Sequence, residues 1–239
     1  MKKIFLFVAF SLLLCTSAYS QTFEELRKVY HTSINDGKRV ITGFHAFGMS
    51  DKVILANSMR WAIQNVCEVG RDHLFDVNVE KNEFSFNVTL EEMVNGKPKY
   101  TFYCKARVRI NEDKLIYSIY DIQYKTDNLL SLGSVTPLEK LNPEKKPKQK
   151  EILDSFEKLA SSILNKMFDA VVANECAPIE HWQEIHLQRA IKGLKPDECL
   201  LAFGKPQNIY EPDSNGIQWS YNLNFVLIFK DDVVVTIIR

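Results

Sequence analysis

The chain lacks the short signatures by which most catalytic and nucleotide-binding sites show themselves in a sequence. It has no GxSxG elbow, no P-loop and no GxGxxG turn, so the common serine-hydrolase and phosphate-cradle chemistries have nothing to stand on. No CxxC occurs, which leaves zinc ribbons and thioredoxin-type exchange without an anchor. Glycine is scarce, at nine residues in 239, too few for a collagen-like or low-complexity chain. Charge of one sign is also missing, with 30 Lys and Arg against 30 Asp and Glu. A nucleic-acid carrier would show a basic excess to offset phosphate. After residue 21 no apolar run reaches 18 residues, so no further membrane span is expected.

What is present begins with Met1 to Gln21, MKKIFLFVAFSLLLCTSAYSQ. Lys2 and Lys3 form a positive n-region, and Ile4 to Leu14 an apolar h-region too short to cross about 30 Å of hydrocarbon. Ala18 and Ser20 put small residues at the −3 and −1 positions of a signal peptidase. The expectation is a signal peptide over 1–20, cleavage before Gln21, and an exported protein, periplasmic or extracellular and soluble once cut. Cys15 opens a lipoprotein alternative, but Leu14 is large where a lipobox wants a small residue. Four cysteines remain: Cys67, Cys104, Cys176 and Cys199. An even count in an exported chain invites disulfides. The spacings form no framework, and each cysteine sits where a small hydrophobe would fit. Buried thiols are the favoured reading, with a Cys67–Cys104 bridge as the alternative.

Hydrophobic periodicity then orders the chain. Phe23 to Ile34 has a weak helical period and suggests a short leading helix. Arg39 to Phe47, rich in β-branched and aromatic residues, reads as a strand. Ser50 offers an N-cap, Asp51 to Val69 carries a stripe through Leu55, Met59, Ile63 and Val66, and Gly70 closes that helix. Four alternating segments follow, centred on Phe75–Val79, Phe84–Leu90, Phe102–Ile110 and Leu115–Tyr124. Asn95-Gly96 is a strong hairpin signal between the second and third. Period-2 patterning with one apolar face means an antiparallel sheet covered on one side. Pro137 to Lys150, with three prolines and five lysines, reads as a solvated linker. Glu151 to Val172 is a second long amphipathic helix.

Ala177-Pro178 starts a new unit. Helices are expected over Ile179–Ile191 and Pro196–Phe203, the latter with proline at its first position and a stop at Gly204-Lys205-Pro206. Strands then follow to Ile238 around the Asp231-Asp232 turn. The fold class is therefore α+β. An antiparallel sheet with two helices on one face, in the order β-α-β-β-β-β-α, precedes a small α-α-β-β-β unit. The expected domains are 21–176 (core 39–175, with linker 137–150 inside it) and 177–239.

The first pattern, with Met59-Arg-Trp-Ala-Ile63 on its helix and the Tyr103–Ile110 strand, resembles the TBP-like domain of unknown function found in exported bacterial proteins. That name concerns geometry and implies no DNA binding. The tail resembles the small BamE (SmpA/OmlA) type domain. The carrying residues are Ile191-Lys-Gly-Leu-Lys-Pro-Asp-Glu-Cys199, Phe203-Gly-Lys-Pro206, Trp219-Ser-Tyr221 and Phe229-Lys-Asp-Asp-Val233. Lys195 stands where that family usually has Ser or Thr, a cap loss of about 1 kcal/mol. Cys199 stands where the family has an aliphatic residue. The resemblance implies protein–protein contacts in the cell envelope.

One surface stands above background. If Phe102, Ala106, Val108 and Ile110 face the helices, then Tyr103, Lys105, Arg107 and Arg109 occupy the open face of the sheet. Tyr117 and Ile119 are expected to join them from the next strand. Such an aromatic–cationic face suits an acidic partner, a sugar or another protein. No catalytic, cofactor or metal residue is identified. His181 and His186 lie five apart, about 140° around a helix, and share no metal-binding face. The reading is a non-enzymatic exported scaffold with a protein partner in the envelope, no nucleic acid and no integral membrane segment after cleavage. The alternative is an envelope hydrolase or ligand-binding protein using His181, Trp182 and Glu184 at the domain junction.

Overall fold

The computed structural model describes residues 28–126, 135–173, 178–211, 216–222 and 224–239. The signal-peptide reading of residues 1–20 and the status of Cys176 lie outside them. Among the described residues, no helix is long and apolar enough to cross a membrane.

A seven-stranded antiparallel sheet forms the larger layer. Its strands are β1 (Ser33–Asn35), β2 (Lys38–Ala46), β3 (Leu74–Asn78), β4 (Glu83–Val94), β5 (Lys97–Asn111), β6 (Lys114–Thr126) and β7 (Thr136–Pro137). They run in the order β1-β2-β6-β5-β4-β3, with β7 beside the end of β6. Helices α1 (Asp51–Val66) and α2 (Pro147–Ala173) pack on each other and on β4. The expected β-α-β-β-β-β-α order forms from β2 to α2, with two short strands, β1 and β7, added to the sheet. Phe84, Phe102, Phe156, Ile54, Met59 and Ile63 are fully buried between the helices and the sheet, where a large side chain contributes about 1.5–3 kcal/mol by leaving water. Asn95-Gly96 forms its turn with positive φ at both residues, as a two-residue type I′ hairpin requires.

The chain forms no leading helix over its described part. Residues 28–32 are irregular and Ser33–Asn35 is a strand, because Asp36 and Gly37 both take positive φ and turn the chain into a hairpin with β2. Tyr30 is buried in the core. The buried Glu157 carboxylate holds the segment by accepting from His31 Nδ1 at 2.7 Å and from Thr32 N and Oγ1 at 2.8 Å.

The stretch 137–150 is not a solvated linker. Pro137 pairs with β6, residues 138–140 make a 3₁₀ turn, and Leu138 and Leu141 are buried. The helix begins at Pro147, where the missing N–H costs nothing because no helical carbonyl precedes it. The lysines are exposed while two leucines three apart fasten the segment. Helix α1 stops at Val66, earlier than expected, and Gly70 pairs across to Lys205 instead. Ser50 occupies the N-cap position but its hydroxyl makes no cap hydrogen bond.

The tail holds α3 (Trp182–Leu187), α4 (Pro196–Phe203) and a second antiparallel sheet. That sheet has four strands, one more than expected: β8 (Asn208–Tyr210), β9 (Ile217–Asn222), β10 (Phe225–Lys230) and β11 (Val233–Ile238), in the order β11-β10-β9-β8. The two sheets stay separate, but their helices form one layer. Ile185, Leu200, Leu201 and Ala202 belong to the core of the first sheet, whereas Cys199 packs on Leu227, Phe229 and Val234 of the second. Trp219 is only half-buried, at 4.9 Å from Phe229. Leu194, Cys199 and Leu227 are fully buried in the core of the second sheet, and Val234 nearly so.

Candidate functional site

The open face of the large sheet is positioned by its turns. The two-residue turn Glu112-Asp113, both at positive φ, pairs Asn111 with Lys114 and so places Val108 opposite Tyr117 and Ala106 opposite Ile119. Residues directly opposite share a face. Tyr117 and Ile119 therefore point into the core with Val108 and Ala106, and both are buried. This corrects the expectation that they join the open face. Tyr117 packs edge-on against Tyr30 at 5.6 Å and near Phe168 at 5.6 Å, and burial pushes its phenol up to about 12. Gly43 leaves the room it needs, since a Cβ there would lie 2.4 Å from the tyrosine oxygen.

The other four expected residues do reach the open face, and a bulge divides them. Between Tyr103↔Gln123 and Lys105↔Tyr120, β6 carries one residue more than β5, with Asp121 at positive φ. The extra residue bends the strand and lets Ile119 and Ile122 both face the core while Asp121 turns outward.

On one side of the bulge the face is apolar and cationic. Phe44 stands opposite Ile116, which stands opposite Arg109. Phe44 is 64% exposed and Ile116 41%. Arg107 donates to Glu83 at 2.9 Å. Arg109 has no ion-pair partner among the described residues.

On the other side the face is a polar concavity of about 700 Å³. Tyr103 and Lys105 lie on its floor with Asn87, Thr89 and Gln123. The Asp72-His73 loop forms one wall and Pro137 to Glu139 the other. Lys105 donates to Asp121 at 3.1 Å and Lys38 donates to it at 3.4 Å. The Lys105 hydrogen bond holds the Asp121 carboxyl below its ordinary range, and the same bond raises the Lys105 ammonium. The structure thus brings Tyr103 and Lys105 together, and places Arg107 and Arg109 outside the concavity.

The three junction residues do not converge. His181 Nδ1 meets the buried Glu198 carboxylate at 2.9 Å, the Trp182 ring lies 4.9 Å beneath Lys52 Nζ, and Glu184 accepts from Arg189 at 2.7 Å. Glu198, fully buried, also accepts from the backbone N–H of Glu180, His181 and Lys195. Burial works to raise its pKa, but these donors outweigh it and the net shift is downward. The Lys195 bond supplies the half of a capping box that needs no hydroxyl, which makes good part of what lysine at that position loses.

Cys67, Cys104 and Cys199 are free and buried, as favoured over the Cys67–Cys104 bridge. Burial pushes the Cys104 thiol up to about 12 and raises the other two. That is the behaviour of inert core thiols rather than nucleophiles. Among the described residues no group of three His, Cys, Asp or Glu could hold a metal.

Neither the protein-family models nor the curated proteins contain a match to the chain. Two solved structures are similar to it. A TBP-like protein from Parabacteroides distasonis aligns over 60% of this chain and 98% of its own, at 16% identity and a TM-score of 0.49. A DUF4468 family protein from Bacteroides ovatus aligns over 62% of this chain and 94% of its own, at 14% identity and a TM-score of 0.45.

Proposed function

We propose that the protein is an exported, non-enzymatic binding protein of the cell envelope. Its TBP-like unit engages a protein partner through the Phe44–Ile116–Arg109 half of the open sheet face, and its tail is a BamE-like contact module. The observation that supports the reading is the exposed Phe44–Ile116 pair with Arg107 and Arg109 alongside. Large exposed apolar side chains flanked by arginine are the composition of interface centres, whereas a sheet face that only meets water is polar. The export part rests on the signal-like residues 1–21. It is tested by amino-terminal sequencing of the mature chain, which is expected to begin at Gln21. A diacylglyceryl-modified Cys15 would overturn it.

The binding part is tested by crosslinking in the intact envelope, comparing the wild-type protein with a Phe44→Ser/Arg109→Glu variant. One partner band is expected with the wild type and its loss with the variant, while circular dichroism stays unchanged. A band that survives in the variant refutes this surface as the contact.

A further inference from the structure

We propose that the polar concavity around Tyr103 is a separate binding site, and that its ligand is a neutral saccharide presenting one pyranose ring to the sheet. Thr89, Tyr103 and Gln123 stand opposite one another on three neighbouring strands, and Asn87 stands opposite Lys105 one row along. At about 4.8 Å between strands, the first row is about 10 Å across, and the two rows lie about 7 Å apart. One pyranose with its substituents covers such a platform.

The chemistry of the platform narrows the ligand. Tyr103 is 41% exposed and enters none of the ring pairs that tie the core aromatics together. An aromatic face carries the negative end of the ring quadrupole, which attracts the C–H face of a sugar. The Asn87, Thr89 and Gln123 side chains make no hydrogen bond to another described residue. Amides and a hydroxyl both donate and accept, as sugar hydroxyls do.

Charge then excludes the obvious competitors. Lys38, Arg39 and Lys105 line the concavity against Asp72, Asp121 and Glu139, so the walls carry no net charge. The two lysines are drawn to Asp121. The Arg39 guanidinium has no carboxylate partner among the described residues but is held by the Thr32 hydroxyl, which itself donates to Glu157, so at most one cation is left for an anion. A phosphate or nucleotide would need several cations free to pair with it. Apart from the Tyr103 ring, the side chains of the floor are polar, which does not suit an apolar ligand. The volume, about 700 Å³, falls within the range of about 300–1,000 Å³ usual for small-ligand sites.

The site is separate from the Phe44–Arg109 surface, so either reading can fail without the other. The test is saturation-transfer NMR on the mature chain with cellobiose, maltotriose and chitobiose as neutral probes, and glucuronate and inorganic phosphate as charged ones. Transfer to at least one neutral probe is expected. Its affinity should fall about tenfold with Tyr103→Ala, the loss of one stacking contact. Gln123→Ala should weaken it less, Tyr103→Phe should retain most of it, and Arg109→Glu should leave it unchanged. The proposal is overturned if no neutral probe shows transfer, or if a charged probe binds more tightly than every neutral one. Undiminished binding by a natively folded Tyr103→Ala variant overturns it equally.

Discussion

The two sheets of this chain solve the same problem at different scales. The larger one buries one face under helices of 16 and 27 residues, with Phe84, Phe102 and Phe156 fully enclosed. The smaller one has an eight-residue helix and a core in which Trp219, Tyr221 and Phe225 are only partly covered. It compensates by leaning on its neighbour. Asp197 pairs with Arg60, Arg71 Nη1 donates to the Leu201 carbonyl at 3.0 Å, and Lys205 Nζ donates to the Cys67 carbonyl at 2.8 Å. A small unit with little apolar area gains most from contacts its own sheet cannot supply.

The sharpest break in that comparison is expected at Gly204. A Cβ there would fall 1.7 Å from the Gly70 carbonyl oxygen, and the residue has φ 80°. Gly204→Ala should therefore cost about 4 kcal/mol or more through backbone displacement at the junction, read as loss of the tail's share of the melting transition. Gly37→Ala is the control: its φ is also positive but nothing lies within 4 Å, so about 1–2 kcal/mol of backbone strain is all it should cost.

Next in size come the core truncations. Phe156→Ala in the large core should cost about 3–5 kcal/mol and Leu227→Ala in the small one about 2–5 kcal/mol. Trp219→Ala should cost less than Leu227→Ala, since water already reaches the indole. Equal or reversed losses by chemical denaturation would mean that Trp219, not Leu227, centres the tail.

Acid should act on the junction. Glu198 has its pKa lowered in the folded protein, so the unfolded chain takes up the proton at higher pH than the folded one. The stability it contributes is complete above the ordinary carboxyl value of 4.5 and is lost as pH falls through the lower folded value. Glu198→Gln should flatten that acid limb in a stability–pH profile, and an unaltered limb would place the acid sensitivity elsewhere. The smallest effect is kinetic. Under mild denaturant the tail thiol Cys199 should label before Cys104, and simultaneous labelling would show that the two sheets open as one.

Much of this architecture was legible because local rules acted alone. The Phe84–Leu90 and Phe102–Ile110 alternations and the Pro196-to-Gly204 helix depend on spacing and caps within a few residues, and they appear as read. The parity of β6 did not, although its signal was available. Leu115, Ile116, Tyr117, Ile119 and Tyr120 are apolar or aromatic on both faces, so periodicity is ambiguous there. The length of the Glu112-Asp113 turn decides it, by pairing Asn111 with Lys114. The segment 137–150 misled for the opposite reason: its lysines and prolines dominate the composition, while two leucines decide its placement. The polar concavity depends on a bulge and on walls from distant segments, which no local pattern encodes. Tyr103 and Lys105 could be found by alternation, but Gln123 and His73 could not.

The position of β2 sets the order in which this molecule can assemble. Strands β3 to β6 follow one another through tight turns, so each closes on a neighbour already at hand, and such local pairings form fast. Strand β2 instead lies against β6, with Ile41 opposite Ile119, and the whole of α1 and the meander intervenes along the chain. Closing that loop costs entropy that is repaid only once β6 exists as a template. The β3–β6 meander is thus expected to form before β2 docks on it, which later protection of the β2 amides than of those in β4 and β5 would show. During that interval the free edge of β6, with the aromatic run around Tyr117, is exposed to any other strand nearby, which makes the late docking of β2 the step at which misassembly would begin.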